Sequence, residues 1–232
     1  MNAKSSASEK TNPGKTLSPV DQYWAKRLEI AKQSFEENGY LVSLAASLEE
    51  ARDLALTSII PAFKPETLAF GGSMTVIESG LADALLQQKE IRVLETINTG
   101  QDPDVLYELR RQAITADLHI TSVNAATMDG KLVLLDGFGN RSAAVQFGPK
   151  NVLLLISRNK LMDDLNDALT RTKTIAAPMN ALRLAKKTPC TKTTECMNCN
   201  SPERICNTWT IMDKCTRKHR IHIVLINQNA GF

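Results

Sequence analysis

NVLLLI, the stretch at residues 151–156, places five consecutive apolar side chains after a single polar one. A run of this length and composition is typical of a central strand that is buried on both faces. A second run, IHIVLI at residues 221–226, indicates another strand near the C-terminal end of the sequence. We therefore expect a sheet at the centre of the fold.

Strand-like and helix-like segments alternate along the sequence on the N-terminal side of this run. The strand-like segments lie at 40–44, 68–70, 91–94 and 116–123, and the helix-like segments lie at 20–38, 47–60, from 75 onward and 103–115. Residues 161–171 then predict a helix after the central strand. Alternation of this kind favours a mainly parallel sheet, because the helices that connect parallel strands cover the faces of the sheet.

The order changes after residue 124, where Asp129-Gly130 separates two short apolar runs at 125–127 and 132–135. An Asp-Gly pair between apolar runs is a local signal for a β-hairpin. Residues 140–146 predict a short helix. The sequence thus predicts an α/β fold, a mainly parallel sheet flanked by helices, with a β-hairpin insertion and a cysteine-rich C-terminal segment.

Length and composition bound the domain organisation. The chain has 232 residues, of which 43% are hydrophobic and 23% are charged, and these are ordinary values for one folded domain. Residues 1–19 contain two prolines and many small polar residues without apolar periodicity, which predicts a disordered tail. We expect a single α/β domain over residues 20–232, with a cysteine-rich segment at 188–207.

Charge and hydropathy exclude several classes of protein. The net charge of +3 is spread along the chain and aromatic residues make up only 5%, so no platform for binding nucleic acid is visible. No run of eighteen apolar residues predicts a membrane span, and the N-terminal residues lack the apolar core of a signal peptide. These features predict a cytoplasmic protein.

A glycine-rich loop follows the strand predicted at 68–70. Gly71, Gly72, Ser73 and Thr75 lie between this strand and the next helix, where backbone N–H groups are able to hold an anion. Thr75 and Glu78 have the spacing of a capping box, which predicts a helix that starts after Thr75. The alternative is a tight turn with an ordinary helix cap.

Polar side chains also gather after the second strand of the predicted hairpin. Asp136 follows the apolar run at 132–135, and Asn124, Asn140 and Arg141 lie nearby in the sequence. Asp and Arg at the end of a strand are able to bind a phosphate or sugar hydroxyls, or to act as acid and base. The alternative is that Asn, Asp and Gly simply form turns here. We expect Asp136, Asn140 and Arg141 to face the same cleft as the glycine-rich loop.

Four cysteines near the C-terminal end have the spacing C-x5-C-x2-C-x6-C. Cys190, Cys196, Cys199 and Cys206 together offer four thiolates, a ligand set that serves both zinc and iron–sulfur clusters. The spacing lacks the second Cys-x-x-Cys of a zinc ribbon, and its first interval is one residue longer than in plant-type cluster sequences. The alternatives are reduced thiols or a redox pair of Cys196 and Cys199, with Cys215 a separate buried residue.

The central motifs, taken together, resemble the LUD-domain family of lactate utilization proteins. They are GGSMT at 71–75, SVNAATMDG at 122–130, DGFGNRSAA at 136–144 and FGPK at 147–150. The resemblance extends from about residue 23 to residue 232, and residues 189–207 resemble a cysteine-bearing tail in one branch of the family. It implies a fold similar to ribose-5-phosphate isomerase and the CoA transferases, and a part in oxidising L-lactate to pyruvate alongside iron–sulfur partner proteins.

Three functions are consistent with these features. The first is an accessory or redox subunit that binds a small anionic ligand and works with iron–sulfur partner proteins. The second is a stand-alone enzyme that acts on a sugar phosphate or a CoA thioester, with Asp136 or Glu78 as the acid/base group. The third is a module that senses a ligand or assembles other proteins without catalysis.

Overall fold

The computed structural model of the chain describes residues 18–96 and 100–232. It contains ten α-helical segments among these residues: α1 Pro19–Glu37, α2 Leu48–Leu54, α3 Ile60–Phe63, α4 Met74–Glu78, α5 Leu81–Gln87, α6 Pro103–Gln112, α7 Asn140–Gln146, α8 Leu165–Arg171, α9 Ala177–Arg183 and α10 Cys190–Thr193. Most of the predicted tail, residues 1–17, lies outside the described residues. Its last residue, Pro19, already belongs to α1, because the Ser18 side chain caps that helix by accepting a hydrogen bond from the Asp21 N–H.

Ten strands form two sheets in the described part of the chain. They are β1 Leu41–Ala45, β2 Thr67–Phe70, β3 Arg92–Leu94, β4 Leu118–Thr121, β5 Ala125–Thr127, β6 Leu132–Asp136, β7 Asn151–Ser157, β8 Leu161–Met162, β9 Thr208–Met212 and β10 Ile221–Ile226. The larger sheet has six strands in the order β1-β10-β7-β4-β2-β3, and all of its pairings are parallel. This confirms the predicted α/β fold with a mainly parallel sheet.

The smaller sheet contains the predicted hairpin. Strands β5 and β6 pair antiparallel, with Ala125 opposite Val133, and β8 and β9 complete a four-stranded sheet in the order β8-β5-β6-β9. Strands β8 and β9 were not predicted from the sequence. The helix predicted at 161–171 is therefore wrong at its start, because Leu161–Met162 form strand β8 and pair with β5. Helix α8 begins only after Asp164, whose side chain accepts a hydrogen bond from the Asp167 N–H.

The core lies on both faces of the six-stranded sheet, and β10 shows how the two faces are built. Ile223 and Leu225 pack with α1 and with the smaller sheet, whereas Val224 and Ile226 pack with the helices of the α2–α5 region. All four side chains are fully buried. Because successive side chains of a strand point to opposite faces, a nearly continuous apolar run is what this position in the sheet requires.

Two helices continue through a π turn beside a proline. One turn, at Ala55–Ile59, precedes Pro61, and the other, at Thr172–Ala176, precedes Pro178. Proline has no N–H group to donate, so the regular hydrogen-bond pattern of the helix has to shift near it. The apolar pattern of the sequence weakens after Lys173, but the helical structure continues to Arg183.

Within residues 18–96 and 100–232, none of the helices combines the length and the apolar character that crossing a bilayer requires.

Candidate functional site

The candidate site lies where the parallel strands of the larger sheet end. Gly71 directly follows β2, Ser122 directly follows β4, and Lys160 lies three residues after the end of β7. Strands β2, β4 and β7 are adjacent in the sheet and run in the same direction. Their carboxyl ends therefore share one edge, which is where open α/β sheets commonly bind ligands.

Arg141 connects the hairpin to this edge of the sheet. Gly139 adopts a left-handed conformation with φ of 82° and allows α7 to begin at Asn140, so Arg141 occupies the first turn of that helix. The guanidinium donates from Nε to Asp136 Oδ1 at 2.9 Å and from Nη2 to Asn124 Oδ1 at 2.6 Å. Its Nη1 donates to the Ser122 carbonyl at 3.3 Å. The side chain is only 12% exposed, so Arg141 does not point into open solvent.

Both carboxylate oxygens of Asp136 already have donors. Oδ1 accepts from Arg141, while Oδ2 accepts from the Ser142 N–H at 2.7 Å and from the Ser142 hydroxyl at 2.8 Å. This geometry makes Asp136 a group that orients Arg141 and the start of α7. An acid/base role for Asp136 remains a prediction.

Lys160, which the sequence analysis did not single out, lies beside Arg141. Its ammonium donates from Nζ to Ser122 Oγ at 3.1 Å, and the residue is only 2% exposed. Burial, together with the positive charges of Arg171 and Arg141 and against an opposing effect of Glu78, lowers the pKa of Lys160 to about 7. Ser122 thus contacts two cationic side chains, through its hydroxyl and its carbonyl.

Arg171 is the third buried cation at this edge. It donates from Nη1 to the Asn124 carbonyl at 2.5 Å and from Nε to the Asn159 carbonyl at 2.7 Å. Burial lowers its pKa to about 10. We call Arg141, Lys160 and Arg171 the basic cluster.

The glycine-rich loop differs from the predicted capping box. The residue that caps α4 is Ser73, whose hydroxyl accepts from the Val76 N–H at 3.3 Å, and the helix starts at Met74. Thr75 is instead buried and donates its hydroxyl to the Ala230 carbonyl at 3.3 Å. Glu78 accepts a hydrogen bond from the Gly231 N–H at 2.9 Å. The capping box of Thr75 and Glu78 is therefore wrong, because both side chains hold the segment after β10.

The two loop glycines have different surroundings. A Cβ atom on Gly71 would lie 2.6 Å from Thr121 Oγ1 and 2.8 Å from His119 Nε2, so only glycine fits this close contact between β2 and β4. A Cβ atom on Gly72 would meet nothing within 4 Å. The open space that the loop offers to a ligand is therefore at Gly72.

His119 lies in the wall behind this loop. Neither ring nitrogen has a hydrogen-bond partner, although the residue is only 1% exposed. Burial and, to a smaller extent, the charge of Arg141 lower the pKa of His119 to about 3. The imidazole is therefore neutral at physiological pH.

The four cysteines predicted as metal ligands are brought together. Cys190, Cys196, Cys199 and Cys206 all line one cavity, and none of them forms a disulfide. Burial raises the pKa of the Cys206 thiol. In the part of the chain that the structure describes, however, no three or more His, Cys, Asp or Glu side chains are placed so that they could hold a metal ion.

The cysteine-rich segment, residues 188–207, contacts the turn that follows Asp136. The Asn207 N–H donates to the Asp136 carbonyl at 2.8 Å, and a Cβ atom on Gly137 would lie 3.5 Å from the Ile205 backbone. Strand β9 continues this contact, with Thr208 paired opposite Asp136. The cysteines and the basic cluster are therefore joined through the end of β6.

Comparisons with known proteins agree with this fold. The sequence model of the LUD domain matches residues 28–226. A DUF162 family protein from Deinococcus radiodurans, whose crystal structure is known, is similar with a TM-score of 0.50 and 10% sequence identity, over 88% of this chain and 98% of that protein. At this identity the likeness concerns the fold alone. No curated protein matches the sequence.

Proposed function

The chain belongs to the LUD domain family, which is associated with lactate utilization, and on that premise we propose that it is an accessory or redox subunit in the oxidation of L-lactate to pyruvate. In this role the chain binds a small anionic ligand at the basic cluster and works with iron–sulfur partner proteins. The family membership supports the metabolic setting, and the buried charges support the anionic ligand.

The observation that carries the ligand class is an excess of buried positive charge. Arg141 and Lys160 both contact Ser122, and Arg171 contacts the neighbouring Asn124. Asp136 is the only buried carboxylate among residues 18–96 and 100–232, and it is already paired with Arg141. Burying charge without a partner is costly, so an anion that neutralises Lys160 relieves a cost built into the ligand-free protein.

The groups around the basic cluster suit a small carboxylate. Lys160 and Arg141 supply a point charge and a planar guanidinium, Asp136 and Asn124 fix the orientation of that guanidinium, and the loop at Gly72 leaves room for close approach to the backbone. L-Lactate and pyruvate each carry one carboxylate. We expect this carboxylate to lie between Lys160 and the guanidinium of Arg141.

Calorimetric titration of the purified chain with L-lactate, pyruvate and inorganic phosphate tests the proposal. We expect one of the two carboxylates to bind more tightly than phosphate, and Lys160→Met to weaken that binding at least about tenfold. Lys89→Met is the matched control, because Lys89 is an exposed lysine just before β3, at the opposite end of the parallel strands. Equal losses in the two variants would contradict the assignment.

The pH dependence supplies a second test. The pKa of Lys160 is about 7 in the ligand-free protein, and an anion favours the charged form of the lysine. Affinity should therefore fall as the pH rises above about 7, by up to about tenfold per pH unit. This dependence should disappear in Lys160→Met. An affinity that rises with pH would exclude Lys160 as the cation that binds the ligand.

The same preparation distinguishes the subunit from a stand-alone enzyme. Lactate oxidation only after iron–sulfur partner proteins are added supports the subunit. Turnover of a sugar phosphate or a CoA thioester by the pure chain would instead favour the enzyme, in which Asp136 or Glu78 acts as the acid/base group. In that case Asp136→Asn and Glu78→Gln should lower kcat.

A further inference from the structure

Lys160 is a buried amine at the ligand site. The residue is only 2% exposed, and within residues 18–96 and 100–232 the Ser122 hydroxyl, 3.1 Å away, is the one hydrogen-bond partner of its Nζ. An ammonium group has three N–H donors to satisfy, so these surroundings favour the neutral amine over the charged form. The pKa of Lys160, lowered to about 7, leaves a large part of the amine neutral at physiological pH.

Two further cations favour the neutral form of this amine. The guanidinium of Arg141 donates to the Ser122 carbonyl at 3.3 Å. That of Arg171 donates to the carbonyl of Asn124, two residues further along the chain. Burial and cationic neighbours are the means by which proteins make a lysine nucleophilic near neutral pH, because only the neutral amine has a free electron pair. Lys160 combines both.

Ser122 places the amine and a guanidinium side by side. Its hydroxyl contacts Nζ of Lys160, and its carbonyl contacts Nη1 of Arg141. A carboxylate that pairs with Arg141 therefore lies next to Nζ. In a 2-oxo acid the carbonyl carbon, C2, is bonded directly to the carboxylate carbon. The site thus brings C2 of a 2-oxo acid to the amine, whereas a simple ketone has no group for Arg141 to hold.

We propose that Lys160 forms a reversible imine with the 2-oxo acid pyruvate, an inference that rests on the proposed function for the position of the carboxylate. The electron pair of Nζ attacks C2, and the carbonyl oxygen leaves as water with the two hydrogens of the amine. A C=N bond replaces the C=O bond, so no oxidant or reductant is consumed. The Ser122 hydroxyl, in contact with Nζ, is placed to pass the protons.

The two protonation states of Lys160 then have different ligands. The ammonium form pairs with the carboxylate of L-lactate, which has no carbonyl carbon and binds by its charge and hydrogen bonds alone. The amine form bonds covalently to C2 of pyruvate. The site thus distinguishes a 2-hydroxy acid from the 2-oxo acid that its oxidation gives.

Reductive trapping in the full chain tests the proposal. Pyruvate with sodium cyanoborohydride should convert the imine to a stable secondary amine, which raises the mass of the chain by one pyruvic acid less one oxygen atom. We expect about one label per chain, in the peptide that contains Lys160, and less than about one-tenth of it with acetone, which lacks the carboxylate. Lys160→Met should lose the label, whereas Lys89→Met, at an exposed lysine, should keep it.

L-Lactate separates the imine from the ligand site. At about ten times its Kd, with pyruvate below its own Kd, it should slow the labelling about tenfold, because it occupies the same site. Two results in the wild-type protein would overturn the proposal: no label at Lys160, or label spread evenly over exposed lysines. If L-lactate binding still depends on Lys160, the ligand site then stands without the imine. Labelling of Lys160 that L-lactate does not slow would instead keep the imine and contradict the proposed function.

Discussion

The basic cluster and the cysteine-rich segment are built in opposite ways. The side chains of the basic cluster come from α7, from the turn after β7 and from α8, and they donate to backbone and side-chain groups of the buried sheets. The cysteine-rich segment is hydrogen-bonded largely within itself, through Arg204 and through short turns such as that of Thr191 and Thr188. The core therefore preorganises the first region, whereas the second is held mainly by hydrogen bonds within itself.

Loss of Arg141 tests whether the basic cluster is preorganised. Arg141→Met removes the partner of a buried carboxylate and leaves Asp136 with an unpaired charge, so we expect the free energy of unfolding to fall by about 3–5 kcal/mol. Urea unfolding at neutral pH measures this loss. Arg217→Met, at an exposed arginine before β10, should change it by less than about 0.5 kcal/mol. If both variants lose the same small amount of unfolding free energy, the basic cluster is not a preorganised region.

Lys160→Met should instead raise the free energy of unfolding. Folding lowers the pKa of Lys160 to about 7, so between pH 7 and the pKa of the unfolded chain the unfolded state binds more protons. Wild-type stability should therefore rise with pH above about 7, by at most about 1.4 kcal/mol per pH unit. In Lys160→Met this slope should be absent, and at pH 7 the variant should be about 2–4 kcal/mol more stable. Urea unfolding in buffers of increasing pH, with Lys89→Met as the control, shows whether Lys160→Met raises or lowers the stability.

The two loop glycines separate the stability of the fold from ligand binding within one turn. Gly71→Ala should lower stability by about 1–3 kcal/mol, since its Cβ atom would meet Thr121 and His119. Gly72→Val should leave thermal unfolding nearly unchanged, yet weaken the binding of the anion that approaches the loop. Equal loss of stability in both variants would show that the space at Gly72 is filled.

The smallest effect concerns the contact between the two regions. Asn207→Ala removes the hydrogen bonds from its Nδ2 to the Gly137 and Arg204 carbonyls, which should lower stability by about 0.5–1.5 kcal/mol. Hydrogen exchange should become faster at 204–208 while β7 stays protected. If protection at Asp136 and in α7 falls equally, the two regions unfold as one unit.

The sequence predicted those parts of the fold whose pattern is local. The apolar runs of β7 and β10 and the Asp-Gly turn of the hairpin were confirmed, and α7 has the bounds that were predicted. Strand β9 was missed because Trp209 and Ile211 are exposed and its partner, β6, lies far away in the sequence. No local pattern marks such a strand, since its pairing depends on how the rest of the chain is packed.

The candidate site shows the same limit. Asp136 and Arg141 follow the end of a strand in a short turn, so their proximity was predictable from the sequence. Lys160 was not found, because a lysine in the sequence Arg158-Asn159-Lys160 is typical of a solvent-exposed turn. The one signal that favoured it is its position just after an apolar strand. Lys160 is buried by α8 and by the hairpin, and the positions of these elements around Lys160 become clear only from the folded structure.

The position of β10 in the sheet has a consequence for how the chain is made. This strand lies between β1 and β7, and its residue His222 pairs with Leu41 from the opposite end of the described chain. During synthesis on the ribosome, β1 and β7 therefore emerge before residues 221–226, and the backbone groups that will pair with β10 stay unpaired until then. Pairing over so long a separation slows folding and leaves apolar edges open to other chains. We expect a nascent chain that is arrested before β10 to bind chaperones, and the finished chain to be released from them.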